Sequence, residues 1–177
     1  MKAAYGDNFY YILYHQEPGV AEAEYDTDPR GLLSRLYASL DTPRDPPTVT
    51  DPKRAAGGWI PRLGAPKQLP SWLTQKDLDY FVSEFREAGF RGGVNYYRNF
   101  DRNWEITPQL AGARIKVPVA FIAGVDDIVI RGAKEDGLRT TMSRVSDDLR
   151  AVKLVPGAGH WIQQEKPQEV NAFVLDF

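Results

Sequence analysis

Cysteine is absent from the 177 residues, and only two histidines and two methionines occur. The first absence excludes disulfides, thiolate nucleophiles and cysteine-ligated metals; two imidazoles are too few for most zinc sites, so no metal and no other cofactor is expected. A chain without cysteine suits a reducing compartment, and the expected location is cytoplasmic. Basic clusters are equally scarce. The formal net charge is −2 and no run of Lys or Arg exceeds two, which leaves no face for a phosphate backbone and argues against nucleic acid as a partner. No stretch approaches the roughly 18 apolar residues that a membrane span needs, and residues 1–8 lack the apolar core of an export signal. What remains, 42% hydrophobic and 26% charged, is the composition of a soluble globular protein.

Proline and glycine are plentiful but concentrated. Pro43, Pro46, Pro47, Pro52, Pro61, Pro66 and Pro70, with Gly57, Gly58 and Gly64 among them, predict a long surface excursion over 41–73 without regular elements, part of which packs through Trp59 and Ile60. Before it, Gln16-Glu17-Pro18-Gly19 signals a turn into a short helix from Val20, and Asp28 caps a second helix with Pro29 in its first turn and Leu32, Leu33, Leu36 and Leu40 on one face. After it, Thr74 and Asp77 form a capping box, Leu78, Phe81, Val82 and Phe85 an apolar stripe, and Gly89 a stop. A further helix is expected after Gly92 and Gly93, with Val94, Tyr97 and Phe100 sharing a side. The aromatic segment 8–16 shows neither alternation nor a helical stripe; it reads as core packing or as a pocket wall in which a tyrosine hydroxyl meets a ligand.

Beyond Pro108 the pattern changes. Val117-Pro118-Val119-Ala120-Phe121-Ile122-Ala123 is a continuous apolar run of the kind that forms a parallel strand, ending at Gly124-Val125-Asp126-Asp127. Residues 133–149 are charged and moderately helical, 151–155 form a second apolar strand, and the last segment places Val170, Phe173, Val174 and Phe177 at helical spacing after Pro167. The predicted order is strand, helix, strand, helix, which divides the chain into a helical part, 1–112, and an α/β part, 113–177. The second strand runs into Gly157-Ala158-Gly159-His160-Trp161. Asp127 and His160, 33 positions apart, each follow a strand and so fall at the carboxyl edge of one sheet, where open α/β sheets build their sites. A carboxylate that accepts from one ring nitrogen fixes the tautomer and leaves the other nitrogen as a base near neutral pH.

Four stretches together resemble a known family: Gln16-Glu17-Pro18-Gly19-Val20-Ala21-Glu22; Gly89-Phe90-Arg91-Gly92 through Tyr97-Arg98-Asn99 to Arg102-Asn103-Trp104; Asp127 after its strand; and Gly159-His160-Trp161 with Glu165-Lys166-Pro167. In this order they resemble the soluble epoxide hydrolases of the α/β-hydrolase fold. The resemblance implies a partial α/β-hydrolase, a helical lid followed by the last strand-helix-strand-helix of the parallel sheet. It implies addition of water to an epoxide through an aspartyl ester, with Tyr11 and Tyr97 as lid tyrosines that bind the epoxide oxygen and supply its proton, and His160, oriented by Asp127, activating water. His15 and Trp161 are the candidate substrate contacts.

The chain departs from the family in one respect: no small-x-Asp-x-small nucleophile turn and no His-Gly-x-Pro stretch occurs, and Asp7 follows no apolar strand. The 177 residues are therefore expected to be inactive alone and to need a complementary N-terminal half, or to associate as a homo-oligomer through exposed strand edges. Two other readings stand beside this one. One is a non-catalytic protein that binds an apolar ligand or a partner; the other is a different lidded α/β-hydrolase such as a haloalkane dehalogenase, against which the paired tyrosines argue.

Overall fold

The computed structural model describes residues 1–177, which divide into two compact units. The first comprises Met1–Ala38 and Thr42–Ile106; the second comprises Thr107–Phe177 with Ser39–Asp41. No helix is long and apolar enough to cross a membrane.

The first unit is helical: α1 (Lys2–Tyr5), α2 (Tyr11–Tyr14), α3 (Val20–Thr27), α4 (Pro29–Leu36), α5 (Gln75–Ala88), α6 (Arg91–Arg98) and α7 (Phe100–Ile106). Its core joins Ala21 and Tyr25 of α3, Leu32 and Leu33 of α4, Leu78 and Val82 of α5, and Val94 of α6, with Ile60, Leu73 and Phe90 from the connections. Each fully buried aliphatic side chain contributes about 1.5–3 kcal/mol relative to exposure, and Leu32 and Leu33 of α4 with Leu78 and Val82 of α5 supply four of them. The ends of these helices follow from their caps. The Asp28 carboxylate accepts from Gly31 N–H at 2.8 Å, and the Thr74–Asp77 capping box is closed in both directions. Gly89, at φ 68°, ends α5 in a conformation that other residues adopt at a cost.

Three expectations about this unit are corrected. Gly92 and Gly93 lie inside α6 instead of preceding it, because Val94 N–H bonds Phe90 carbonyl and the first turn is already formed there. Phe100 starts α7 instead of continuing α6. The proline-rich excursion contains two 3₁₀ turns, Arg54–Ala56 and Ile60–Arg62. It is tied down by side chains as well as backbone: the Glu24 carboxylate accepts from Trp59 and Ile60 N–H, and Arg62 donates to the carbonyls of Asp51 and Lys53. A Cβ on Gly58 would stand 2.1 Å from Glu24 Oε1, so the glycine permits that approach.

The second unit contains two parallel strands, β1 (Ile115–Gly124) and β2 (Ser146–Val155), with α8 (Glu135–Ser143) between them and α9 (Ile162–Glu165) and α10 (Pro167–Leu175) after them. Val155, Ala158 and Ile162 form its buried cluster, against which Ile122 and Val170 pack. The expected helix over 133–149 is shorter than its sequence suggests. Residues 146–150 are extended because Ser146 pairs with Ile115, and Arg114 grips the same segment through the Ser146 carbonyl and the Asp147 carboxylate. On α10 the apolar spacing is not matched by burial, since Val174 is 60% exposed and Phe177 beyond it 49%.

Candidate active site

β1 and β2 end flush. Gly124 is opposite Val155, Val125 N–H donates to the Val155 carbonyl and Asp126 N–H to the Ala158 carbonyl, both at 3.0 Å, so the loops that follow the two strands are stitched together. A Cβ on Gly124 would lie 2.1 Å from the Ala158 oxygen, and the close approach depends on its absence. This geometry brings Asp127 and His160 together. His160 Nδ1 lies 3.0 and 3.1 Å from the two Asp127 carboxylate oxygens, and Asp127 Oδ1 also accepts from Val129 N–H at 2.8 Å, which sets the carboxylate in a tight turn. The Asp127 side chain is 14% exposed whereas that of His160 is 48% exposed. The acceptor is thus largely shielded, while about half of the imidazole is open to solvent. With Nδ1–H donated to the carboxylate, Nε2 carries the lone pair, the arrangement of a general base that can abstract a proton from water. The Trp161 ring stands edge-on to the imidazole at 5.2 Å.

The first unit brings the two tyrosines together. Tyr11 opens the one-turn α2 and Tyr97 lies in the last turn of α6; their rings meet edge to face at 5.6 Å. Tyr11 also stacks on Trp59 of the excursion, with centroids 4.9 Å apart and planes 11° from parallel. Burial raises the pKa of both phenols, helped at Tyr11 by the neighbouring Tyr97 and at Tyr97 by Tyr96. Both hydroxyls therefore keep their protons at neutral pH and can donate to an oxygen. The neighbours have other surroundings: Tyr96 is 69% exposed, Tyr10 stacks on Tyr5, and Tyr14 packs against the core.

His15 sits beneath this pair, 3% exposed, its ring 4.7 Å from that of Tyr97. Its Nε2 is 2.9 Å from the Tyr25 hydroxyl, and its Nδ1 is buried without a hydrogen-bond partner. Burial first, and the Arg98 charge second, push its pKa down from 6.5 to about 4, so the ring is neutral at pH 7.

Sequence reasoning assigned no role to the side chains that position the tyrosines, although it quoted them. Arg98 uses all five of its N–H donors: Nε to the His15 carbonyl, Nη1 to Glu22 and Asn95, Nη2 to Glu22 and the Glu17 carbonyl. Gln16 donates to the carbonyls of Ile12 and Tyr97. Together they lock the end of α2 to the end of α6, and so Tyr11 to Tyr97. Contact with the Arg98 guanidinium holds the Glu22 carboxyl down to about 2. The available signal is the presence of Gln16, Glu22 and Arg98 inside the two motif stretches. No group of three His, Asp or Glu side chains is arranged to hold a metal ion.

Comparison with known proteins gives one consistent answer. The chain is 46% identical over 178 aligned positions to epoxide hydrolase A of Mycobacterium tuberculosis, covering 99% of the chain and 54% of that protein. It is 33% identical to bifunctional epoxide hydrolase 2 of Rattus norvegicus, covering 94% of the chain and 29% of the relative. Among solved structures it superposes on epoxide hydrolase A from Mycobacterium thermoresistibile with a TM-score of 0.80 at 44% identity, covering 99% of the chain and 54% of that one. No family model matches the chain. The chain spans about half the length of curated relatives such as the M. tuberculosis protein.

Proposed function

The chain is homologous to epoxide hydrolases of the α/β-hydrolase fold over nearly all of its length, and from that premise we propose that it supplies the proton donors and the water-activating pair for opening an epoxide to a vicinal diol. Tyr11 and Tyr97 bind the epoxide oxygen and one of them gives it a proton as the ring opens. The carboxylate that attacks the ring carbon and becomes an ester belongs, in this reading, to polypeptide outside these residues, since no suitable Asp turn occurs within them. His160 Nε2 then takes a proton from water, whose oxygen adds to the ester carbonyl; the ester C–O bond breaks, the acid so formed gives its proton to the leaving alkoxide to release the diol and restore the carboxylate, and the imidazolium proton returns to the tyrosinate. Asp127 holds the ring and stabilises the imidazolium. The observation that carries the reading is the double contact of His160 Nδ1 with Asp127 at the flush ends of β1 and β2.

The partner is proposed on the same basis. β1 is paired on one edge only, and Val117 and Ile115 on it are 65% and 47% exposed, an edge suited to a further parallel strand from the complementary half. We propose the cytoplasm as the location, as a cysteine-free chain allows. The experiment is hydrolysis of trans-stilbene oxide or styrene oxide by the purified chain, alone and mixed with the N-terminal half of a homologous epoxide hydrolase. Activity in the mixture only, abolished by His160→Gln and reduced by Tyr11→Phe or Tyr97→Phe, is the expected result. A folded mixture without turnover, or turnover indifferent to His160→Gln, overturns the reading. The aromatic cluster of Tyr11, Tyr97, Trp59 and His15 favours one second reading, retention of an apolar ligand without catalysis; that reading gives saturable binding of a hydrophobic urea, sensitive to the same tyrosines, with no diol formed.

A further inference from the structure

Asp127 fixes where the His160 ring ends but leaves open what fixes the backbone from which it springs. That backbone crosses a loop with glycines at 157 and 159; burial of Ala158 anchors its start, but the half-exposed imidazole has little packing of its own, so something else must hold the amides on either side of it. The carboxylate of Glu165 does. Its Oε2 accepts from Gly159 N–H at 2.8 Å and its Oε1 from Trp161 N–H at 3.0 Å, one oxygen for the residue before His160 and one for the residue after it. In return the Trp161 carbonyl accepts from Glu165 N–H at 2.9 Å, so the side chain folds back over the turn it belongs to. A Cβ on Gly159 would come within 3.3 Å of Glu165 Oε1, tighter than side chains ordinarily sit, which ties the glycine to this grip. Capping of α9 accounts for the bond to Trp161, its N-cap residue, but not for the bond to Gly159, two residues earlier.

We propose that Glu165 is a positioning residue for His160: by holding both flanking amides it sets the ring at the distance and angle at which Nδ1 meets Asp127 and Nε2 is left as the base. Both bonds are charge-assisted and of roughly twice the strength of neutral ones. With Asp126 N–H bonded to the Ala158 carbonyl on the other side, the segment 158–161 is pinned at three successive places. The proposal rests on the reading of His160 as the water-activating base. Its test uses no epoxide, so it can fail or succeed independently of turnover.

The measurement is the ¹⁵N chemical shifts of the His160 ring in the 177-residue chain, at a pH where histidine is ordinarily neutral, for the parent, Glu165→Gln and Glu165→Asp. The parent shows the Nδ1–H tautomer, because Asp127 accepts from that nitrogen. Glutamine keeps the shape but turns a donor toward one of the two amides. Aspartate keeps the charge near α9 but is one methylene too short to reach both. In each variant the ratio of Nδ1–H to Nε2–H tautomer is expected to fall at least threefold. An unchanged ratio in either variant, with its circular dichroism preserved, overturns the proposal and leaves Glu165 a helix cap. Should a variant fail to fold, amide hydrogen exchange in the parent decides: Gly159 and Trp161 exchanging tenfold or more slowly than His160 supports the grip, and equal rates overturn it.

Discussion

His15 gives the first unit a built-in sensitivity to acid that can be worked out from its surroundings. The ring is neutral and 3% exposed, with a pKa pushed from 6.5 to about 4 by burial and by Arg98. In the unfolded chain it protonates near 6.5, so below that pH the unfolded state holds a proton that the folded state refuses, and stability falls as pH falls. The contribution is fully present above 6.5 and lost by about 4. At about 1.36 kcal/mol for each pH unit between those two values, the whole loss is about 3 kcal/mol, of which about 2 kcal/mol is gone by pH 5. Replacing His15 by Phe keeps an aromatic ring among Tyr11, Tyr97 and Trp59 but removes the titration. Its offset at pH 7 combines a lost Tyr25 partner with relief of the orphaned Nδ1, and cancels when the difference between variant and parent is compared at two pH values. Urea unfolding followed at the methyl resonances of Leu32 and Val82, which report on this unit alone, should show the parent losing about 2 kcal/mol more than His15→Phe between pH 7.5 and 5. Parallel curves for the two proteins would refute the argument.

Two further substitutions probe the devices that hold each pair of site residues. Arg98→Met strands the Glu22 carboxylate, whose side chain is 11% exposed, and is expected to cost about 3–5 kcal/mol by the same urea assay. It should also remove the part of the parent's stability that is present above pH 4.5 and lost as pH falls toward 2, because Glu22 no longer has its pKa depressed. Gly124→Ala drives a methyl into the Ala158 carbonyl, 2.1 Å away, and should destabilise the second unit by about 3 kcal/mol while releasing the Asp126 amide to fast hydrogen exchange; an unshifted unfolding midpoint counts against the close approach.

Much of this architecture is legible in the sequence where local chemistry and tertiary context agree. α5 carries its own start in Thr74 and Asp77, its stripe in Leu78 and Val82 and its stop in Gly89, and it forms where those signals place it. The apolar cores of β1 and β2, and the placing of Asp127 and His160 just past them, are equally local. The charged start of β2 is not: Asp147, Asp148 and Arg150 carry no strand signal, and only pairing with β1 and the grip of Arg114 extend that segment. α2 has four residues, too few to display a period. Arg98 reaches back 83 positions to the His15 carbonyl and Glu24 reaches 35 forward to Trp59. Such side-chain-to-backbone bonds leave no trace in periodicity, and that is why the sequence alone does not show the ordering of the excursion and of the tyrosines.

The flush ending of the strand ladder separates two distances that are easily confused. Both register irregularities of β1 against β2 occur upstream, between Ile115 and Pro118 and between Val119 and Ala120, while Ala120 to Gly124 pair without interruption with Ala151 to Val155. A slip of one position in that last run would carry Asp127 about 3.3 Å past His160, and would turn every strand side chain to the opposite face. By contrast, the chain between the strands runs through α8 and its flanking turns, and lengthening a turn there moves neither strand end. The spacing of acid and base along the sequence is thus free to drift while their meeting in space is not, and the ladder, not the count of residues, carries the chemistry from one generation of the sequence to the next.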